Sequence, residues 1–333
     1  LRVTAMNGVI LDGDSLGQDI DLSPVTNCFN NIEIFGSTEP DEIAARIIDA
    51  DVVLTNKIRL GPDELKRCQN LKMISVMATG TNNVDLAYCA KNNIQVCNAK
   101  GYSTPSVVQH TITLMLALST NLIAYQKNIK AHAWQQSNVF CLLDHPIQEL
   151  SGKTLGILGY GDLGRSVADV ARAFGMNILV CERPGSKSAD TKERIAWQQM
   201  LPQVDYLSLH CPLTPDNEQI VDTSALALMK PTAFLINTAR GGLVNSLDLI
   251  TALKKGVIRG AGIDVLNTEP PSTDEVLLAE DLPNLVITPH NAWAARESRE
   301  RLLLQMAENI LECQNNHFPR SVLSGYSTRS SMI

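Results

Sequence analysis

The chain has 333 residues, 44% of them hydrophobic and 19% charged, and a formal net charge of −7. That length accommodates two ordinary domains with packed cores. The acidic balance gives no electrostatic attraction for nucleic acid or an anionic membrane, so neither is expected as a partner. The eight cysteines (28, 68, 89, 97, 141, 181, 211 and 313) fall singly, with no CxxC spacing. They predict buried reduced thiols in a cytosolic protein, with no metal site and no disulfide framework. No apolar run reaches membrane-spanning length, because the longest helical candidate, 107–125, is broken up by Gln109, His110, Thr111 and further polar residues. No leader pattern opens the numbered chain.

In chain order, strands are predicted at 32–35, 52–55, 73–77 and 94–96, with helices between them at 41–49, 62–67 and 85–91. That alternation means α/β with a parallel sheet. One long helix is predicted over 105–125. A second series follows, with strands at 154–158, 177–181, 205–209, 233–237, 260–264 and 285–287 and helices at 165–174, 192–200, 224–229 and 246–254. Another long helix, 294–314, carries Leu302, Leu303, Met306, Ile310 and Leu311 on one face. Packed back onto the first series, it makes the chain cross between domains twice. The expected organisation is then a domain of 1–102 and 295–333 with a second domain, 103–294, inserted into it. Chemistry is expected in the cleft, at the carboxyl ends of the strands. The polar residues 325–333 are expected to fray.

The most informative stretch is Gly159-Tyr160-Gly161-Asp162-Leu163-Gly164. An apolar strand precedes it and a helix follows, in which Val167, Val170, Ala171 and Phe174 keep helical spacing. In such a βαβ unit the first glycine permits the tight turn, the second lets a pyrophosphate approach the backbone, and the third lets helix and strand pack. The helix N-terminus offers free N–H groups to phosphates. Glu182 ends the next strand, roughly 20 residues on, where an acid binds ribose hydroxyls. A carboxylate there repels a 2′-phosphate, so NAD is expected and NADP is less favoured. Arg183 and Lys187 follow closely and read as solvated charges on a turn.

Three further segments put polar residues beyond strand ends: Asn237-Thr238-Ala239-Arg240-Gly241-Gly242, Gly262-Ile263-Asp264 running on to Glu269-Pro270-Pro271, and Thr288-Pro289-His290-Asn291-Ala292-Trp293. With Ala78-Thr79-Gly80-Thr81-Asn82-Asn83-Val84-Asp85 and Ser103-Thr104-Pro105, they resemble the D-2-hydroxyacid dehydrogenases, which use NAD(P). The resemblance covers almost the whole chain. Residues 79–85, Cys181-Glu182-Arg183 and His290-Asn291-Ala292-Trp293-Ala294 look most like the D-glycerate dehydrogenases, also called hydroxypyruvate reductases. The fold this implies is a Rossmann dinucleotide domain inserted into a discontinuous flavodoxin-like substrate domain.

The resemblance implies a catalytic set of Arg240, Glu269 and His290. The chemistry asks for those types. A 2-hydroxy acid must lose its hydroxyl proton as its C2 hydride departs, and imidazole is the natural acceptor near neutral pH. A carboxylate on the other ring nitrogen fixes the tautomer. A guanidinium offers a planar fork to a substrate carboxylate and a developing alkoxide. The substrate carboxylate is expected on the backbone at Thr79 and Gly80, with Asn56 and Lys57 reaching the same cleft and Trp293 either walling the pocket or packing in the core. Cofactor contacts are expected from Gly159, Gly161, Asp162, Leu163, Gly164, Glu182, Cys211, Pro212, Thr238, Ala239, Arg240, Asp264, His290 and Thr104. The remaining histidines read as structural or surface residues. Residues 121–150 resemble the arm through which family members form homodimers. The favoured substrate is D-glycerate or hydroxypyruvate. Glyoxylate, pyruvate or 3-phosphohydroxypyruvate is the alternative, and a non-catalytic NAD-sensing corepressor is the rival from another class.

Overall fold

A computed structural model describes residues 6–182 and 194–323. Arg183, Lys187 and the tail at 325–333 lie outside those residues. The chain forms two compact units, one of Leu1–Ser103 with Ala294–Ile333 and one of Thr104–Trp293.

The first unit carries β1 (Asn7–Ile10), α1 (Ser23–Thr26), β2 (Asn31–Ile34), α2 (Ile43–Ile47), β3 (Val52–Thr55), α3 (Pro62–Leu65), β4 (Met73–Val76), α4 (Leu86–Lys91) and β5 (Gln95–Cys97). The second runs through α5 (Thr104–Ser119), α6 (Leu122–Lys130), β6 (Thr154–Leu158), α7 (Asp162–Ala173), β7 (Asn177–Cys181), β8 (Arg194–Ile195), α8 (Trp197–Met200), β9 (Tyr206–Leu209), α9 (Thr223–Leu228), β10 (Phe234–Asn237), α10 (Ser246–Lys255), β11 (Gly260–Ile263) and β12 (Leu285–Ile287). The chain then returns to the first unit as α11 (Arg296–Gln314).

All strands in the first unit are parallel, in the order β2-β1-β3-β4-β5. That is the flavodoxin-like order. The inner strands β3 and β4 are buried throughout, which is why they read as unbroken apolar runs. Ile43, Ile47, Leu65 and Cys89 from α2, α3 and α4 pack in one cluster with the sheet. Helices α1 and α11 pack together, and α11 also contacts β4. Helix α4 starts where the Asp85 carboxylate accepts the Tyr88 N–H at 2.8 Å, a cap of about 1 kcal/mol.

The second sheet is also parallel, in the order β12-β11-β10-β9-β6-β7-β8. Counted from β6, this is the Rossmann order extended by one strand. Helices α5 and α7 cover one face through Ile112, Met115, Val167 and Ala171. Helices α8, α9 and α10 cover the other through Met200, Leu226, Leu249 and Leu253. Each of these side chains larger than alanine contributes roughly 1.5–3 kcal/mol on burial.

The structure departs from the sequence reading in several places. Strands β1 and β8 were not expected. The predicted helix at 192–200 is only Trp197–Met200 among the described residues. The single helix predicted over 105–125 is two helices, bent by 60°. Asn121 stands at the break with φ 50, its Nδ2 donating to Pro146 C=O, and the Gln148 N–H caps Ser119 C=O. No single helix among the described residues is long and apolar enough to cross a membrane.

All eight cysteines are free. Burial pushes the thiols of Cys89, Cys97 and Cys181 up to about 12 and those of Cys211 and Cys313 to about 11, and it raises Cys28 and Cys68 as well. Cys141 is half-buried in the segment after α6.

Candidate active site

Because both sheets are parallel, every strand of a unit delivers its carboxyl end to one edge. Along that edge of the second unit lie Gly159 after β6, Glu182 after β7, Cys211 and Pro212 after β9, Thr238 to Arg240 after β10, Asp264 after β11 and His290 after β12.

The glycine turn has the space that a dinucleotide needs. Gly159 has φ 97, and a Cβ there would sit 2.6 Å from the Cys211 nitrogen. A Cβ on Gly164 would strike the Gly159 carbonyl, whereas one on Gly161 would meet nothing within 4 Å. The first and third glycines therefore close the turn, and the second leaves it open to a ligand. Helix α7 begins directly after Gly161 with no side-chain cap. The amides of Asp162 and Leu163 donate to nothing among the described residues. Such a terminus fits a pyrophosphate. Glu182 is exposed, and its N–H pairs with Ile195 C=O. In the loop after β9, Asn217 holds residues 211–214 by donating to Pro212 C=O at 2.9 Å and accepting the Thr214 N–H at 2.7 Å.

Glu269 and His290 meet directly, with Nδ1 to Oε2 at 2.5 Å. The other Glu269 oxygen accepts the Leu266 N–H at 2.9 Å. Both side chains are about one quarter exposed. His290 Nε2 has no partner among the described residues. Donation from Nδ1 to the carboxylate leaves Nε2 as the lone-pair nitrogen of a neutral ring. Arg240 is half-buried, and its Nη1 donates to Ala239 C=O at 2.6 Å. It forms no ion pair among the described residues. The turn bearing it is clasped by the buried Asn237 side chain, which accepts the Ala239 N–H at 3.0 Å and donates to Arg240 C=O at 2.9 Å. Thr238 Oγ1 lies 3.1 Å from Thr111 Oγ1 of α5. Thr104 is half-buried at the start of α5, and Trp293 is half-buried at the end of this unit.

His290 adopts a left-handed backbone, φ 50, which is uncommon for a residue with a Cβ. Asp264 holds it there. The Asp264 carbonyl accepts the His290 N–H at 2.8 Å. Oδ1 accepts Thr288 Oγ1 at 2.6 Å and the Asn291 N–H at 3.0 Å, and Oδ2 accepts the Ala292 N–H at 3.0 Å. Asp264 is 1% exposed and faces inward onto this turn. Since the one Thr288 proton goes to Asp264, His110 Nε2, 2.9 Å away, donates to Thr288. His110 thus supports the turn structurally.

In the first unit, the buried Asp12 carboxylate accepts the N–H groups of Asn56 and Lys57. Asn56 is buried, with Nδ2 on Ser15 Oγ at 3.2 Å, and the Lys57 side chain is exposed. Thr79 is exposed and Gly80 half-buried after β4. The sequence reading passed over the structural functions of Asn237 and Asp12. The only signal for them was a short polar side chain at a strand end.

Residues 112–292 match the model of the D-isomer specific 2-hydroxyacid dehydrogenase NAD binding domain. The chain is 41% identical over 274 residues to a glycerate dehydrogenase of Methylorubrum extorquens, covering 81% of this chain and 85% of the relative. It is 36% identical to a hydroxypyruvate reductase of Blautia hydrogenotrophica, covering 83% and 85%. Among solved structures, the TT0316 protein of Thermus thermophilus superposes with a TM-score of 0.82 at 30% identity, over 95% of this chain and all of that one. With a parallel Rossmann sheet, an open glycine turn and a matched NAD-binding domain, the chain belongs to the D-isomer-specific 2-hydroxyacid dehydrogenase family of oxidoreductases.

Proposed function

We propose that the protein interconverts D-glycerate and hydroxypyruvate with NAD. The observation that carries this reading is the Glu269–His290 pair, anchored at Nδ1 and open at Nε2. In the oxidation His290 Nε2 takes the C2 hydroxyl proton as the C2 hydride leaves, and the electrons of the O–H bond form the carbonyl. In the reduction the imidazolium returns that proton to the keto oxygen. Bound NAD supplies the nicotinamide carbon that exchanges the hydride. Glu269 fixes the tautomer, and Arg240 offers its fork to the carboxylate and the C2 oxygen.

The Thr79 and Gly80 amides receive the substrate carboxylate, with Asn56 and Lys57 on the adjacent turn and Trp293 as a wall. This makes the unit of Leu1–Ser103 and Ala294–Ile333 the substrate domain. Gly159, Gly161, Asp162, Leu163 and Gly164 hold the pyrophosphate and Glu182 the ribose. Cys211 and Pro212 line the adenine side, and Thr104, Thr238, Ala239, Arg240 and His290 the nicotinamide side, with the buried Asp264 behind them holding the His290 turn. The exposed Glu182 carboxylate favours NAD over NADP by like-charge repulsion. The relatives named glycerate dehydrogenase and hydroxypyruvate reductase support the choice of substrate. A homodimer is supported by apolar side chains on the arm, where Phe140 is 89% and Leu143 80% exposed. A cytosolic location is supported by eight unpaired thiols.

NADH absorbance followed with hydroxypyruvate, glyoxylate, pyruvate and 3-phosphohydroxypyruvate, then repeated with NADPH, tests the reading. The highest kcat/KM is expected for hydroxypyruvate with NADH. No turnover of any of the four would refute it.

A further inference from the structure

The turn after β4 presents two backbone donors in one direction, and the cause lies on the neighbouring strand. Ala78 C=O accepts the Ala99 N–H at 3.0 Å, and Thr79 C=O accepts Asn98 Nδ2 at 2.7 Å. In a trans peptide the carbonyl and the following N–H point opposite ways. Fixing both carbonyls toward the end of β5 therefore aims the N–H groups of Thr79 and Gly80 away from it, on the same side. Neither N–H has a partner among the described residues. Adjacent amides aimed together attract an anion. The first carbonyl is held by backbone, which any residue supplies. The second needs a side chain that donates.

Asn98 is built into the unit. It is 5% exposed. Its own carbonyl accepts Asn309 Nδ2 at 3.2 Å, and Asn309 Oδ1 accepts Arg320 Nη1 at 3.0 Å. A line of polar groups thus runs from α11 to the turn. The Asn98 Oδ1 is buried with no partner. Flipping the amide would set that oxygen against the Thr79 carbonyl, so the donation to Thr79 dictates the orientation. A buried unmatched acceptor is costly, and here it accompanies a contact that shapes the turn.

We propose that Asn98 is a positioning residue for substrate binding, its Nδ2 locking the Thr79–Gly80 peptide so that both amides receive the substrate carboxylate. This rests on the reading of that turn as the carboxylate site.

Asn98→Asp, which is isosteric but presents an acceptor to Thr79, and Asn98→Ser test it in the full chain. The KM for hydroxypyruvate should rise about tenfold or more, with kcat changed by less than about twofold and NADH affinity by fluorescence unchanged. The dissociation constant of oxalate from the NADH complex should rise by the same factor. Unchanged KM and oxalate affinity in a folded variant would overturn the proposal. Should both variants fail to fold, oxalate titrated into ¹⁵N-labelled wild-type protein should move the Thr79 and Gly80 amide resonances together, and neither moving would overturn it. Wild-type protein that binds oxalate through these two amides yet reduces none of the keto acids would sink the proposed activity and leave the carboxylate site standing.

Discussion

The Glu269 carboxylate holds His290 Nδ1 at 2.5 Å with one oxygen and the Leu266 N–H with the other, so the acid that orients the ring is itself fixed by backbone. Glu269→Gln can keep the Leu266 contact through its amide oxygen, but it then turns an NH2 group toward Nδ1. That favours the tautomer protonated at Nε2, which cannot accept the substrate proton. The kcat for D-glycerate oxidation should fall by about 10²–10⁴, and His290→Ala should fall at least as far. Steady-state kinetics with NADH affinity as control checks both.

Asp264 ties down the turn that carries His290. Asp264→Ala strips acceptors from Thr288, Asn291 and Ala292, of which Ala292 is buried and Thr288 half-buried. A loss of roughly 2–4 kcal/mol in urea unfolding is expected, together with a drop in kcat, because the left-handed His290 backbone loses its clamp. An unaltered kcat would show that the turn holds itself.

The three glycines of the dinucleotide turn should separate in experiment. Gly164→Ala drives a methyl into the Gly159 carbonyl and should unfold the turn, lowering Tm. Gly161→Ala meets no protein atom within 4 Å. It should fold normally and still lose NADH affinity, because the methyl occupies the approach of the phosphates. Differential scanning calorimetry beside fluorescence titration distinguishes the two.

Removing the exposed carboxylate with Glu182→Ala should raise the NADPH/NADH ratio of kcat/KM by about tenfold. A ratio that stays constant would move cofactor discrimination elsewhere.

His210 Nδ1 is sealed from solvent without a partner. Burial lowers this histidine from an ordinary 6.5 to about 4. The unfolded chain therefore takes up a proton at this site between those values while the folded chain does not, so stability is complete above pH 6.5 and falls as pH drops toward 4. The loss is of order 3 kcal/mol. Denaturant unfolding of His210→Asn against wild type across that window should show a flatter profile for the variant.

Most of the architecture was legible because buried parallel strands read as apolar runs: Ile236, Ile263 and Val286 each announce a strand whose polar successor lies at the carboxyl edge of the sheet. Glu269 and His290 were legible by type and order. The clasps were not. Asn237 and Asn98 act on residues brought near by folding, and a short polar side chain after a strand looks the same whether it caps a turn or faces solvent. Strand β1 escaped notice because Gly8 and Gly13 blur its pattern, and β8 has only two residues. The bend at Asn121 has no glycine or proline to mark it. It is set by Pro146 and Gln148, more than 20 residues away.

Burial raises the thiols of Cys28, Cys68, Cys89, Cys97, Cys181, Cys211 and Cys313, which slows an alkylating dye at those seven, while Cys141 sits half-buried on the arm after α6. The native chain thus carries its own labelling handle. A fluorophore placed there reports on whatever covers the arm, and slower modification of the remaining seven times how often the core opens.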